Sequence, residues 1–371
     1  MLLKNYIFSL LITFVSTAIF YFSPSLSESV RPHSPLVQSF VEAQVTKVES
    51  QEIKPDPRMP SIMTGRQILF AKILEGEHKG KVVRITNPLS RQHNVYVQAG
   101  EHFIMMIRIR NGEPYYWAYN HKRSTAIYCM LAIFILLLIG FGKKEGVNSI
   151  VSLYFTAALI IGVLIPGIFA GWNPMLLTII LIGLKIIVNY ILICGYNRKS
   201  GCAMIGTLLG VIAAGLFAQA FGEMAYLSGI YLDKGEDIIY LTSHPVQIRW
   251  LMFTAIIISA LGAVMDVAIS IASSYQELHR TDPTLTATQL RKASMNIGRD
   301  IMGTMTNTLV LAIAGGSLTT MMMVWGFDMP LTQFMNMPLV AMSLVHALAG
   351  SIGIVLTIPI TAWVASVMLH K

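Results

Sequence analysis

Long apolar runs, separated by short polar linkers, occupy most of the sequence. A helix needs about 20 mostly apolar residues to cross a lipid bilayer. Eight runs approach or exceed that length, at residues 5–22, 124–141, 148–169, 175–194, 201–221, 249–275, 301–324 and 339–369. The pattern predicts a mainly α-helical, polytopic membrane bundle of about eight transmembrane helices.

One segment, residues 24–123, departs from this pattern. It holds 14 basic and 9 acidic residues, half of all the charges in the chain. Apolar residues alternate with period two in 66–74, 81–86, 93–98 and 102–110, and turn-forming residues separate these stretches. About five short strands in so small a segment indicate an OB- or SH3-like β-barrel after the first helix.

The β segment has two recognisable borders. A proline-rich stretch at 54–60 indicates a loop, and aromatic residues at 115–119 lie where an interfacial belt should precede the second span. The chain is thus divided into an N-terminal signal anchor at 1–23, a β domain at 24–123 and a seven-helix membrane domain at 124–371.

Basic residues in the linkers predict the sidedness. Lys and Arg follow the second, fourth, sixth and eighth runs, whereas linkers 170–174 and 325–338 contain none and 222–248 contains one Lys against four acids. Short basic loops stay in the cytoplasm, so we expect both termini inside and residues 24–123 outside. The first run could also be a cleaved signal peptide, but its length and the lack of a small-x-small site favour a retained anchor.

The cytoplasmic linker 276–300 contains a helix start. Thr286 and Gln289 have the spacing of a capping box, and an amphipathic stretch follows them. We expect an interfacial helix between the sixth and seventh spans.

Composition agrees with a membrane protein and excludes other classes. Apolar types make up 54% of the 371 residues and charged types only 12%, which excludes an ordinary soluble enzyme and a disordered chain. The three cysteines lie in or beside apolar runs and indicate no disulfide framework. Phosphate-loop, zinc-protease, lipase and redox motifs are missing from the sequence, so we expect no enzyme, no cofactor and no nucleic-acid partner.

Charged residues inside apolar runs are the best candidates for function, because each costs several kcal/mol in hydrocarbon. Asp266 lies well inside the sixth run. At the start of the seventh run, polar or small residues recur at spacings that place them on one helical face, with Thr304 beside it: Asn296, Asp300, Gly303 and Asn307. Asp266 and Asn307 should lie at similar depth on neighbouring helices.

Two interpretations of this polar pocket compete. In the first, Asp266 takes up and releases a proton or cation during transport, with Asn296, Asp300, Thr304 and Asn307 completing the relay. In the second, Asp266 only hydrogen-bonds a Thr or Asn of the next helix. Lys185, in the fourth run, is either a counter-ion for Asp266 or a side chain that extends toward the interface.

Four stretches resemble the YibE/F family of bacterial multispanning proteins: LSG at 227–229, ALGAVMDVAIS at 260–270, NIGRDIMGTMTNTL at 296–309 and AGSIGIVLT at 349–357. The similarity covers roughly 125–369. The anchor and β segment are similar to the YibE-type member, whose shorter YibF-type partner lacks that segment. The resemblance implies a bacterial cell membrane and no established substrate.

The order of elements is also similar to half of an RND-type transporter or to the SecD/SecF export factors. In those proteins an Asp-bearing helix takes part in proton coupling, which would assign that role to Asp266 and require two such halves. This chain has two more predicted spans and a far smaller outside domain. The comparison concerns the order of elements alone.

Two hypotheses for function follow. The first is an ion-coupled transporter or export-assisting permease that contacts membrane lipids and acts as a homodimer or as a heterodimer with a YibF-type paralogue. The second is a membrane scaffold or sensor whose β domain binds a ligand in the cell envelope. A transporter needs Asp266, whereas a scaffold does not.

Overall fold

The computed structural model describes residues 2–28, 38–110, 112–230 and 248–370, together with Gly235 and Ile238. The chain divides into two compact units. Residues 33–137 form the sheet unit, and residues 1–32 with 138–371 form the helical unit. Much of linker 222–248, on which the predicted sidedness partly depends, lies outside the described residues.

Five strands build the sheet unit: β1 (Gln38–Pro55), β2 (Met63–Ile73), β3 (Val82–Leu89), β4 (His102–Arg110) and β5 (Glu113–His121). All pairings are antiparallel, in the order β3-β2-β1-β4-β5. The two outer strands, β3 and β5, also contact each other. The sheet therefore curls into a half-barrel, which confirms a five-stranded β segment after the first helix.

The inner face of the half-barrel holds the residues that the period-two pattern selects. On β4, Phe103, Met105 and Ile107 are buried, whereas Ile109, near the end of the strand, is exposed. Successive side chains of a strand point to opposite faces, so alternate residues of β4 from Phe103 to Ile107 enter one apolar core. The face predicted for 102–110 is confirmed except at its last position.

Residues 93–98, predicted as a strand, are not one. Val95 and Val97 still belong to the apolar core, which explains the alternating pattern. Their carbonyl oxygens accept hydrogen bonds from buried side-chain amides: Asn87 Nδ2 lies 2.7 Å from the Val95 oxygen, and Gln67 Nε2 lies 3.0 Å from the Val97 oxygen. Two amide side chains thus bind the carbonyls that a neighbouring strand would otherwise bind.

Two borders of the β segment also differ from the prediction. β1 runs from Gln38 to Pro55, so the proline-rich loop begins only at Asp56. The aromatic residues expected as a separate belt lie on β5, which pairs with β4: Tyr115, Tyr116, Trp117 and Tyr119.

Asp56 anchors the loop between β1 and β2. Its carboxylate accepts two hydrogen bonds from the Arg91 guanidinium, at 2.7 and 3.0 Å. The backbone N–H of Arg58 donates a third at 2.8 Å. The Arg91 hydrogen bond, with further help from the N–H groups, holds the pKa of Asp56 below its usual value.

We expect this loop to loosen in acid. A carboxylate whose pKa is lowered by folding adds stability above its unfolded pKa of about 3.9, and this contribution is lost as the pH falls through the folded pKa. Hydrogen exchange of the full chain, corrected for intrinsic rates, should show residues 56–62 keeping their protection down to about pH 4 and losing it as the pH falls further. Asp56→Asn should lack that protection at every pH; protection in the wild type that does not change with pH would contradict the assignment.

Helices make up the rest of the described chain: α1 (Leu2–Glu28), α2 (Ser124–Leu159), α3 (Ile165–Phe169), α4 (Pro174–Cys194), α5 (Arg198–Met224), α6 (Ile248–Thr281), α7 (Ala287–Gly316), α8 (Leu318–Gly326), α9 (Leu331–Met335) and α10 (Pro338–Met368). A π-helical turn, Ile160–Leu164, joins α2 to α3.

Six helical segments of the described chain are long and apolar enough to cross a membrane. A seventh candidate is the pair of α7 and α8, which are bent by 62° relative to each other. The protein is therefore mainly helical, with six to seven candidate membrane helices. One of them, Ser124–Phe169, is 46 residues long and contains both the second and the third predicted runs.

This long segment breaks at Lys143, whose φ of 46° and ψ of −121° are not helical. A Cβ atom at Gly146 would lie only 1.9 Å from the carbonyl oxygen of Leu138, although eight residues of continuous helix span about 12 Å. The chain thus turns sharply at Lys143, and glycine is needed where the two sides of the turn meet.

The most extensive helix contact joins α5 and α10. A Cβ atom at Gly206 would lie 2.0 Å from Thr361 Oγ1, and one at Gly210 would lie 1.8 Å from Thr357 Oγ1. Glycine therefore lets the two helices approach closely. α6 packs against both, and α7 packs against α6 and α10.

α7 begins at the expected capping box. Thr286 Oγ1 accepts a hydrogen bond from the Gln289 N–H at 3.3 Å, and Gln289 Oε1 accepts one from the Thr286 N–H at 2.8 Å. The prediction of a separate interfacial helix is wrong, because α7 continues from this cap to Gly316 as one helix. The amphipathic stretch is the first part of that helix.

Candidate functional site

Asp266 lies near the middle of α6, which is 34 residues long. The neighbouring Val267 and Ala268 are fully buried, whereas Asp266 is exposed. The same exposed face carries small residues at helical spacing: Ala255, Ser259 and Gly262. A face of small and polar residues therefore runs along the outside of α6.

The predicted polar face of α7 is exposed as well, and it comprises Asn296, Asp300, Gly303, Thr304 and Asn307. The buried residues of α7 lie on another side of the helix: Leu290, Ser294 and Gly298. The side that packs on the bundle is thus distinct from the side that carries polar groups.

Contacts at two heights give the depth of Asp266 relative to α7. A Cβ atom at Gly298 would touch Ile271 of α6, and one at Gly350 of α10 would contact both Ala260 and Leu309. The twelve residues from Ala260 to Ile271 therefore run beside the twelve from Leu309 back to Gly298. Asp266, six residues after Ala260, therefore lies level with Gly303, six residues before Leu309.

Hydrogen bonds do not join the two helices at this depth. Thr304 Oγ1 donates to the Ile301 carbonyl at 2.9 Å, and Asn296 Oδ1 accepts from the Arg299 guanidinium at 2.8 Å. Among the residues that the structure describes, the Asp266 carboxylate has neither a hydrogen bond nor an ion pair. The expected bond from Asp266 to a Thr or Asn of α7 is thus not seen in a single chain.

A polar contact between α6 and α10 lies nearer the N-terminal end of α6. Ser259, on the same exposed face as Asp266, hydrogen-bonds His346 Nε2 of α10. Ser259 precedes Asp266 by seven residues, about 10 Å along the helix. Polar groups are therefore spread over two turns of this face.

A family model described as YibE/F-like protein matches residues 130–371. The chain belongs to the YibE/F family. The resemblance seen in the sequence motifs is thus confirmed, and the matched region includes Lys185, Asp266 and the whole polar face of α7. Neither a curated protein nor a solved structure matches the chain. With its candidate spans, this chain is a multi-pass membrane protein of the YibE/F family.

Lys185 of the YibE/F chain forms a hydrogen bond to α2. Its Nζ donates to Ser152 Oγ at 2.9 Å, and the described residues show no ion pair between Lys185 and an acid. Ser152 Oγ in turn donates to Asn189 Oδ1 at 2.5 Å. The structure thus adds a third interpretation of Lys185, a hydrogen-bonded network between α2 and α4, to the two that the sequence leaves open.

The YibE/F membrane region contains a second hydrogen-bonded cluster, around Tyr190, that the sequence did not predict. Tyr190, fully buried on α4, donates its hydroxyl to the Met265 carbonyl at 2.8 Å and lies 2.6 Å from Thr207 Oγ1. These bonds tie α4 to α5 and to α6 beside Asp266. Hydroxyl and amide residues in the middle of apolar runs were the available clue, but their partners are too distant in sequence to assign.

The π-helical turn adjoins this interior network. A cavity of about 40 Å³ lies between Ile160 and Leu164 of the turn and Thr178 and Lys185 of α4. That volume holds a water molecule. π-helical turns frequently occur at functional sites, and this one shares its cavity with Lys185 of the YibE/F bundle.

Within the described ranges, groups of three or more His, Cys, Asp or Glu side chains that could hold an ion do not occur. The absence of a cofactor stays a prediction.

Proposed function

We propose that this YibE/F protein is an ion-coupled transporter or export-assisting permease in which Asp266 takes up and releases a proton or cation. The observation that supports this most is the position of Asp266: an exposed carboxylate in mid-helix with no partner among the described residues. A charged residue in a membrane segment costs several kcal/mol and is retained where it serves a function.

The polar face of α7 supplies a route toward the cytoplasmic end. Asp300 lies one helical turn below Gly303, and Asn307 lies one turn above it. From Asn296 to Asn307 the face extends over about 16 Å. An ion that leaves Asp266 would meet an amide, a hydroxyl or a carboxylate at each turn. Lys185 stays outside this route.

The same proposal includes eight membrane passages with both termini in the cytoplasm and residues 24–123 outside, as an OB- or SH3-like domain. The break at Lys143 supports two passages within the segment Ser124–Phe169, and the bent pair of α7 and α8 supports one more. We further propose that the chain has no catalytic activity of its own.

Proton flux tests the role of Asp266. In proteoliposomes with an imposed pH gradient and an internal pH-sensitive dye, Asp266→Asn should lower the flux by about tenfold or more, because the amide cannot carry the proton. Asp328→Asn, an acid beyond α8, should match the wild type. Equal flux through folded wild type and Asp266→Asn would overturn the proposal.

One observation favours the alternative, a scaffold or sensor. The sheet unit has a cavity of about 300 Å³, lined by Ser39, Glu77, His78 and Ile107 among others, which is large enough for a small envelope ligand. A sensor should tolerate Asp266→Asn in cells and fail when the sheet unit is removed. A transporter should fail with Asp266→Asn alone.

A further inference from the structure

The outer surface of α6 and α7 is unusual for a membrane helix pair. We call Gly262, Asp266, Gly303, Thr304 and Asn307 the α6–α7 face. All five residues are exposed, and Cβ atoms at the two glycines would meet nothing within 4 Å. In hydrocarbon, such polar groups need a partner that donates or accepts hydrogen bonds.

α4 shows what a lipid-facing surface of the same chain looks like. Its exposed large side chains are all aliphatic: Leu176, Ile179, Ile180, Leu184, Ile187 and Ile193. Lipid tails suffice to cover that surface. They do not suffice for the α6–α7 face, because they offer Asp266 no hydrogen-bond donor.

The depths of the five residues point to a second copy as the cover. By the register of α6 and α7, Asp266 lies level with Gly303, and Gly262 lies level with Asn307. Two copies inserted in the same orientation are related by an axis along the membrane normal, which keeps every residue at its own depth. Asp266 of one copy therefore meets Gly303 of the other, and Asn307 meets Gly262.

We infer that the protein forms a symmetric homodimer through the α6–α7 face, with α6 of one copy against α7 of the other. Asp266 enters the space above Gly303 of the second copy, where Thr304 and Asn307 lie within one helical turn. The second copy thus brings hydrogen-bond donors to the Asp266 carboxylate, which accepts no hydrogen bond from the described residues of its own chain. This inference rests on the proposed function, because it completes the ion site at Asp266.

Disulfide formation between differently tagged copies tests the dimer. Both copies carry alanine in place of Cys129, Cys194 and Cys202; one then carries Gly262→Cys and the other Asn307→Cys. Mild oxidation in native membranes should join the two tags in one band at twice the 41.0 kDa of the chain. Because each copy carries one of the two cysteines and its own tag, a band with both tags cannot come from a disulfide within one chain.

Two controls match this pair. In the first, Leu184→Cys, on the aliphatic surface of α4, replaces Gly262→Cys as the partner of Asn307→Cys. This pair should give at least tenfold less of the joined band. Gly262→Cys with Gly316→Cys should also give little, because Gly316 lies nine residues from Asn307, about 13 Å in depth. Equal bands in all pairs, no band, or cross-linking only to a different protein such as a paralogue would overturn the homodimer.

Gly303→Leu adds a variant that should fold, because its side chain has open space in one chain. It should abolish the Gly262–Asn307 disulfide by occupying the place of Asp266. The two experiments test the dimer and the transport proposal separately. If the Gly262–Asn307 disulfide forms but Asp266→Asn does not change the proton flux, only the transport proposal is wrong. If Asp266→Asn loses the proton flux but the disulfide does not form, only the homodimer proposal is wrong.

Discussion

Gly210→Leu should separate α5 from α10 and destroy the packed helical unit. Even the first atom of the new side chain, the Cβ, would lie 1.8 Å from Thr357 Oγ1. The threonine hydroxyl is held in place by its hydrogen bond to the Gly353 carbonyl at 2.7 Å. Overpacking by one or a few methyl groups costs about 1–3 kcal/mol, and leucine adds four carbons. In detergent, the variant should elute as an aggregate and lack a cooperative thermal transition.

A graded series makes this expectation specific. Gly210→Ala should destabilise by about 1–3 kcal/mol, and Thr357→Ala should restore part of that loss by removing the clashing oxygen. Gly183→Leu is the matched control, because a Cβ at that position of α4 meets nothing within 4 Å. If Gly210→Leu and Gly183→Leu unfold at the same temperature, the close contact of α5 and α10 is wrong.

Gly146→Ala should disrupt the sharp turn at Lys143. The added Cβ would lie 1.9 Å from the Leu138 carbonyl oxygen, a backbone atom that cannot rotate away. The chain must then either straighten or shift one side of the turn, so we expect a loss of about 1–3 kcal/mol or more in stability. Thermal unfolding of the purified chain, followed by tryptophan fluorescence, measures the change.

Gly142→Ala is the control for this turn, because its Cβ would meet nothing within 4 Å. Lys143→Gly should be tolerated or stabilising, since a positive φ strains residues with a side chain by about 1–3 kcal/mol. A Gly146→Ala protein as stable as Gly142→Ala would show that the chain does not turn back at Lys143.

Local patterns were enough to predict three of the four residues on the inner face of β4, all but Ile109, and the residues of α7 that share a polar face. In both cases one element determines the outcome, because side chains repeat with period two in a strand and 3.6 in a helix. Asp266 could be selected in the same way, as a charge within an apolar run. The family followed from long motifs in the same helices.

Partners from distant parts of the chain could not be predicted. Lys185 bonds Ser152, which is 33 residues away, and only the packing of α4 on α2 brings them together. Residues 93–98 alternate like a strand, but Gln67 and Asn87 bind their carbonyls. Apolar length also did not show that two runs would join into the one broken segment Ser124–Phe169.

The glycine contact between α5 and α10 limits how the bundle can open. Because Gly206 and Gly210 leave no gap beneath Thr361 and Thr357, these two helices cannot slide past each other without losing contact, and α6 is packed against both. We expect the three to travel as one rigid body. Under the proposed transport function, the moving elements should then be helices outside this body, on the side of α2, where the π-helical turn adjoins a small cavity.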